Sequence, residues 1–136
     1  KATEPPIVIV TSNRTREVHD ALKRRCLYHW VDYPKAAEEL AIIRRKVPGC
    51  DVQLSRQVVA YEQRLRTIDL FKNPGIAETI DWATALGQLG VSELDEATVA
   101  ATLGTVLKYR EDHERVREQG IAQLVKQAFD RGLLNS

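Results

Sequence analysis

Two short runs combine residue types that could do phosphate chemistry. Thr11-Ser12-Asn13 follows directly on the apolar run Ile7-Val8-Ile9-Val10, and Lys23-Arg24-Arg25 closes the amphipathic stretch that comes next. Small polar side chains at the carboxyl end of an apolar strand sit where open α/β sheets bind ligands. An uncharged Asn there holds a water or a phosphate oxygen without the desolvation cost of burying a charge. A guanidinium held at a helix end can reach across a subunit boundary and neutralise charge on a transferring phosphoryl group. Each run also has a plainer reading. Ser-Asn-Arg-Thr is good turn and cap chemistry, and cations at a helix C-terminus complement the macrodipole.

His19, Cys26 and His29 form a third cluster, but their spacing fits no common zinc pattern and lacks a fourth ligand, so no metal is expected. No Ser/His/Asp or Cys/His arrangement has a catalytic context. The basic groups Arg44-Arg45-Lys46 and Arg64/Arg66 have acids interleaved around them and no aromatic stacking platform. With a net charge of +1, the expectation is a solvated face and no nucleic-acid partner.

The elements that must position these residues follow from periodicity. Residues 7–10 are β-branched throughout, the pattern of a strand covered on both faces, and residues 27–31 are a second strand candidate. Between them a helix is expected over residues 15–25, capped by Thr15, with Val18, Ala21 and Leu22 on one face. A pair of strands is marginal in water, so the other strands of the sheet are expected upstream. The chain contains no Met and starts with Lys, which likewise suggests a piece of something longer.

Beyond Tyr33-Pro34 the pattern is helical. Ala36, Leu40, Ile43 and Val47 mark one helix, which Pro48-Gly49 ends, and Val58, Tyr61, Leu65 and Ile68 mark the next. A third starts after Asn73-Pro74-Gly75 with Ile76, Ile80, Ala83 and Leu86 inward and Trp82 beside them. A fourth from about Asp95 carries Val99, Leu103, Val106 and Leu107. The last, from about Glu111, is charged at first, then apolar at Ile121, Leu124, Val125 and Ala128, with Gly120 weakening it. The charged run from Lys108 to Glu118 suggests an exposed helix, suited to contact a neighbouring subunit. The fold class expected is mainly α: a remnant of an α/β core over residues 1–33, followed by an all-helical domain over residues 34–136. With two cysteines, no secretory leader and no apolar run of membrane-spanning length, a cytoplasmic protein without a disulfide framework is expected.

The run "IVIVTSN" followed by a helix ending "ALKRRC" resembles the sensor 1 strand and arginine-finger helix of AAA+ ATPases. The longer run "PPIVIVTSNRTREVHDALKRRCLYHWVDYP" is similar to the MoxR family, in particular its branch associated with carbon monoxide dehydrogenase maturation. "RLRTIDLFKNPGIAETIDWATAL" and "LGTVLKYREDHERVR" resemble the helical lid of the same branch. The resemblance implies that Asn13 is the sensor 1 residue, placing the attacking water near the γ-phosphate. It makes Arg25, directly before Cys26, the finger, with Arg24 as the alternative. Ala77 and Glu78 fall where a sensor 2 arginine would meet the nucleotide, and a carboxylate there cannot donate to phosphate.

The implied cofactors are ATP and Mg2+. The implied assembly is a ring, commonly a hexamer, working with a von Willebrand factor A domain protein on a client metalloenzyme. No G-x-x-x-x-G-K-[ST] loop and no strand ending in Asp-Glu occurs, so these 136 residues are not expected to hydrolyse ATP alone. The rival reading is a non-catalytic helical interaction module in which Asn13 and Arg25 are turn and cap residues.

Overall fold

The computed structural model describes residues 3–12 and 18–130. Among these there are seven α-helices and no strand: α1 (Asp20–Lys23), α2 (Ala36–Lys46), α3 (Val52–Leu65), α4 (Ile76–Gln88), α5 (Glu96–Val106), α6 (Arg110–Gln119) and α7 (Ile121–Asp130). The chain divides into two compact units, Lys1–Asp32 and Tyr33–Ser136.

In the first unit, the strand-helix-strand remnant expected of residues 1–33 is not formed among the described residues. Residues 7–10 run without regular structure, and Ile7, Val8, Ile9 and Val10 are 96%, 71%, 85% and 63% exposed. Leu27 and Val31 are exposed as well, so the second strand candidate fails in the same way. The physical reason is pairing. A strand exists through the hydrogen bonds and side chains of its neighbours, and two short segments do not supply them. Within the second segment the Tyr28 and Trp30 rings, two residues apart and so on one side of extended chain, lie 5.2 Å apart.

The expected helix over residues 15–25 is also shorter. Thr15 lies outside the described residues, and α1 is a single turn with no buried residue. Its cap is His19, whose Nδ1 accepts from the Ala21 N–H at 3.2 Å. Leu22, expected on a packed face, is exposed.

The second unit is a helical bundle built around α3. This helix packs against α2, α4 and α7, and it is buried nearly all round, as a central helix must be. Leu54, Val58, Val59, Tyr61 and Leu65 are fully buried on it. Asp51 starts it by accepting the Gln53 and Leu54 N–H groups at 2.7 and 3.3 Å. From α4, Trp82 packs its ring 5.6 Å from that of Tyr61 and donates Nε1–H to the Thr102 hydroxyl of α5 at 2.8 Å, so a large buried ring keeps its one polar group satisfied.

The single last helix expected from Glu111 is in fact two. Gly120 takes φ +82°, a left-handed conformation that ends α6, and α7 begins at the buried Ile121. Nor is the charged run 108–118 wholly exposed. Asp112 is fully buried, and its carboxylate accepts the Phe71 and Lys72 N–H groups at 2.6 and 3.2 Å, closing the loop between α3 and α4. Among the described residues no helix is long and apolar enough to cross a membrane.

Candidate functional site

Asn13 lies outside the described residues. Arg24 and Arg25 belong to the first unit and follow α1 directly. The Arg24 N–H bonds to the Asp20 carbonyl at 3.0 Å and the Arg25 N–H to the Leu22 carbonyl at 3.0 Å, so the backbone of both is tied to the turn while the residues themselves are exposed. Lys23 pairs with Asp20 at 3.5 Å on the same turn. The arrangement is a solvent-facing guanidinium pair on a short helical stub, with the donor chemistry to meet an oxyanion.

Ala77 and Glu78 lie in the first turn of α4, in the second unit. Ala77 is exposed. Glu78 is half-buried, and its Oε2 accepts the Gly75 N–H at 3.0 Å, so its carboxylate caps its own helix. A Cβ at Gly75 would come within 3.1 Å of that oxygen, which ties the glycine to the cap. The N-terminus of α4 therefore already holds an anion, supplied by the chain itself.

A cation held at that helix end is Arg66, which sequence reasoning set on a solvated face. Its side chain is only 7% exposed. Nη1 donates to Glu39 Oε2 at 2.6 Å and Nη2 to Glu39 Oε1 at 2.7 Å, a bidentate pair between the end of α3 and α2. Nε donates to the Pro74 carbonyl at 2.8 Å, and the guanidinium carbon sits 5.0 Å from the Tyr33 ring centroid.

Glu39, itself fully buried, accepts further bonds from Thr79 Oγ1 at 2.8 Å and Gln63 Nε2 at 2.7 Å. Gln63 also donates to the Pro34 carbonyl at 3.0 Å. Burial disfavours the Arg66 charge, but hydrogen bonds and charge from Glu39, with Glu62 adding to them, more than offset this and hold the guanidinium above its usual value. One cluster thus clamps α2, α3 and the start of α4.

Glu62, one turn before Arg66, completes the cluster differently. It is fully buried, neither carboxyl oxygen has a hydrogen-bond partner, and Oε2 lies 3.9 Å from Arg66 Nη2. Burial pushes its pKa well above the usual carboxylate range. Arg66 opposes that, and Glu39 and Glu78 reinforce it. Beside it, burial pushes the Tyr61 phenol up as well, with Glu62 contributing.

A signal for this cluster was present in the sequence. Glu39 falls on the Ala36/Leu40/Ile43 stripe of α2, and Glu62, i,i+4 from Arg66, follows directly on Tyr61 in the Val58/Tyr61/Leu65 stripe of α3. Acids and bases on apolar stripes are buried in pairs or not at all.

No protein-family model matches this chain, and comparison with curated proteins and with solved structures likewise finds no match.

Proposed function

We propose that this chain is the C-terminal region of a MoxR-type AAA+ ATPase: the end of the nucleotide-binding core, followed by a helical lid. The observation that carries the reading is the contrast within residues 7–10. Four successive β-branched side chains, 63% to 96% exposed, lead directly into Thr11-Ser12-Asn13, and such a run is stable in water only as part of a larger sheet. The helical bundle that follows has its own core, as a lid must. In this reading the longer protein works in the cytoplasm as a ring, commonly a hexamer. It uses ATP and Mg2+ to remodel or mature a client metalloenzyme such as carbon monoxide dehydrogenase, with a von Willebrand factor A domain partner.

The residues described here do not themselves compose a nucleotide site. The chain has no phosphate loop, and Glu78 occupies the N-terminus of α4, so sensor 2 chemistry at Ala77 or Glu78 has no donor to offer. The part left to this chain is Asn13 as sensor 1 and Arg25, or Arg24, as a finger toward the neighbouring subunit's nucleotide. Exposure of both arginines supports that role.

In the longer ATPase, Arg25→Ala is expected to nearly abolish ring-dependent hydrolysis while leaving nucleotide binding unchanged. Unchanged turnover in both Arg25→Ala and Arg24→Ala would remove the finger. The second reading, a non-catalytic helical interaction module, is favoured by the self-capped α4. It predicts no nucleotide-dependent behaviour in any of these proteins.

A further inference from the structure

Two buried carboxylates face one guanidinium at the junction of α2, α3 and α4. Arg66 Nη2 donates to Glu39 Oε1 at 2.7 Å and reaches Thr79 Oγ1 at 3.3 Å, while Glu62 Oε2 waits 3.9 Å away without a hydrogen bond. One guanidinium nitrogen is therefore contested by two acids, and only one of them is satisfied. An ionised carboxylate at the unsatisfied place would be a buried charge without a hydrogen-bond donor, an arrangement that folded proteins avoid by neutralising the group. A proton on Glu62 removes that cost.

We propose that Glu62 is a proton-controlled latch: protonated, it leaves Arg66 on Glu39 and the Pro74 carbonyl, and on losing its proton it draws Nη2 away from Glu39 and loosens the first turn of α4. The consequence reaches α4 because Arg66 Nε holds the Pro74 carbonyl and Thr79 donates to the same Glu39 oxygen that Nη2 does, at 2.8 Å. When Nη2 turns to Glu62, Glu39 Oε1 keeps only the Thr79 hydroxyl. The proton leaves to solvent, and the Glu62 O–H is the only covalent bond broken.

The charged groups acting on Glu62 come from each of these elements: Arg66 on α3 itself, Glu39 from α2 and Glu78 from α4. The remaining neighbour, α7, meets α3 through the bond from Arg64 Nε to Gln127 Oε1, two positions along the helix from Glu62. Both added acids favour the proton on Glu62, and Arg66 opposes it. The latch is independent of the ATPase reading, since it lies entirely within the bundle.

The sign is fixed by linkage. An acid whose folded pKa is raised binds its proton more tightly when folded, so stability is greatest below the unfolded value, about 4.3 for Glu, and declines as pH rises from there to the folded value. The test compares the 136-residue chain with Glu62→Gln, which keeps the shape and removes the titration. The unfolding constant of the unmodified chain is expected to rise by up to about tenfold per pH unit relative to the variant across that window. Amide exchange at Thr79 and its turn, corrected for intrinsic base catalysis, should quicken with pH in the unmodified chain and not in Glu62→Gln.

Parallel stability and exchange profiles would overturn the latch. So would faster exchange in both proteins, which would place the opening elsewhere. Should the variant not fold, carbon NMR titration of the Glu62 carboxyl in the unmodified chain decides: a midpoint in the ordinary carboxylate range overturns the proposal, and a raised one supports it.

Discussion

Ile9 and Val59 are both β-branched and apolar, yet one is 85% exposed and the other fully buried. The difference lies in what each segment needs in order to hide. A helix satisfies its own backbone and has only to find a surface for its stripe, and α2, α4 and α7 supply one for α3. A strand must find both backbone partners and two packed faces, and residues 7–10 find neither among the described residues. The same contrast separates the arginines. Arg25 is exposed, whereas Arg66 is held by a buried carboxylate, so equal charges carry different weights in stability.

The largest effect that sharpens this comparison is a core truncation. Trp82→Ala is expected to cost about 3–5 kcal/mol, removing both a buried ring and its bond to Thr102, whereas Ile9→Ala should stay within about 0.5 kcal/mol. Urea unfolding of the two variants measures the gap. A comparable loss from Ile9→Ala would mean that residues 7–10 are packed in solution.

Next in size is the arginine pair. Arg66→Ala leaves Glu39 buried without its counter-ion, for a loss of about 3–5 kcal/mol, and Arg25→Ala should be nearly silent in stability. Thermal unfolding followed by circular dichroism distinguishes them, and equal melting temperatures for the two would break the comparison.

The smallest effect comes from Asp95, the exposed cap of α5. Its hydrogen bonds from Thr98 lower its pKa, so its contribution is full above the ordinary carboxylate value and is lost as pH falls through the lowered one. Asp95→Asn should flatten a shallow decline in stability on the acid side. It should leave the decline that begins above about pH 4.3, assigned to Glu62, unchanged.

Much of the bundle was legible from spacing. The stripes through Ile43, Val58, Tyr61, Leu65, Val99 and Leu103 are buried, because a 3.6-residue period already specifies which side chains share a face. Two features were misread for opposite reasons. In sequence Gly120 reads as a weak point inside one helix, though its positive φ ends the helix, and a single glycine does not announce its dihedral. Arg66 and Asp112 read as surface charges because their partners, Glu39 and the N–H groups of residues 71 and 72, are distant in sequence. Of the candidate site, the chemistry of Arg24, Arg25 and Glu78 was visible in residue type. That Glu78 caps its own helix is a matter of geometry, although its place three residues after Gly75 fits a capping pattern.

By itself, then, the sequence determined the helical content of residues 36–130, the faces that close it, and the absence of a phosphate loop, since all three depend on local order along the chain. Only the tertiary structure decided which charges are buried, that Arg66 is a cation beside α4 where residues 77 and 78 supply none, and that Glu62 stands without a hydrogen bond. Those outcomes depend on distances between residues far apart in sequence. Electrostatic energy depends on such distances and on the loss of water around them, so a charge on an apolar stripe signals a buried group without saying which partner it meets.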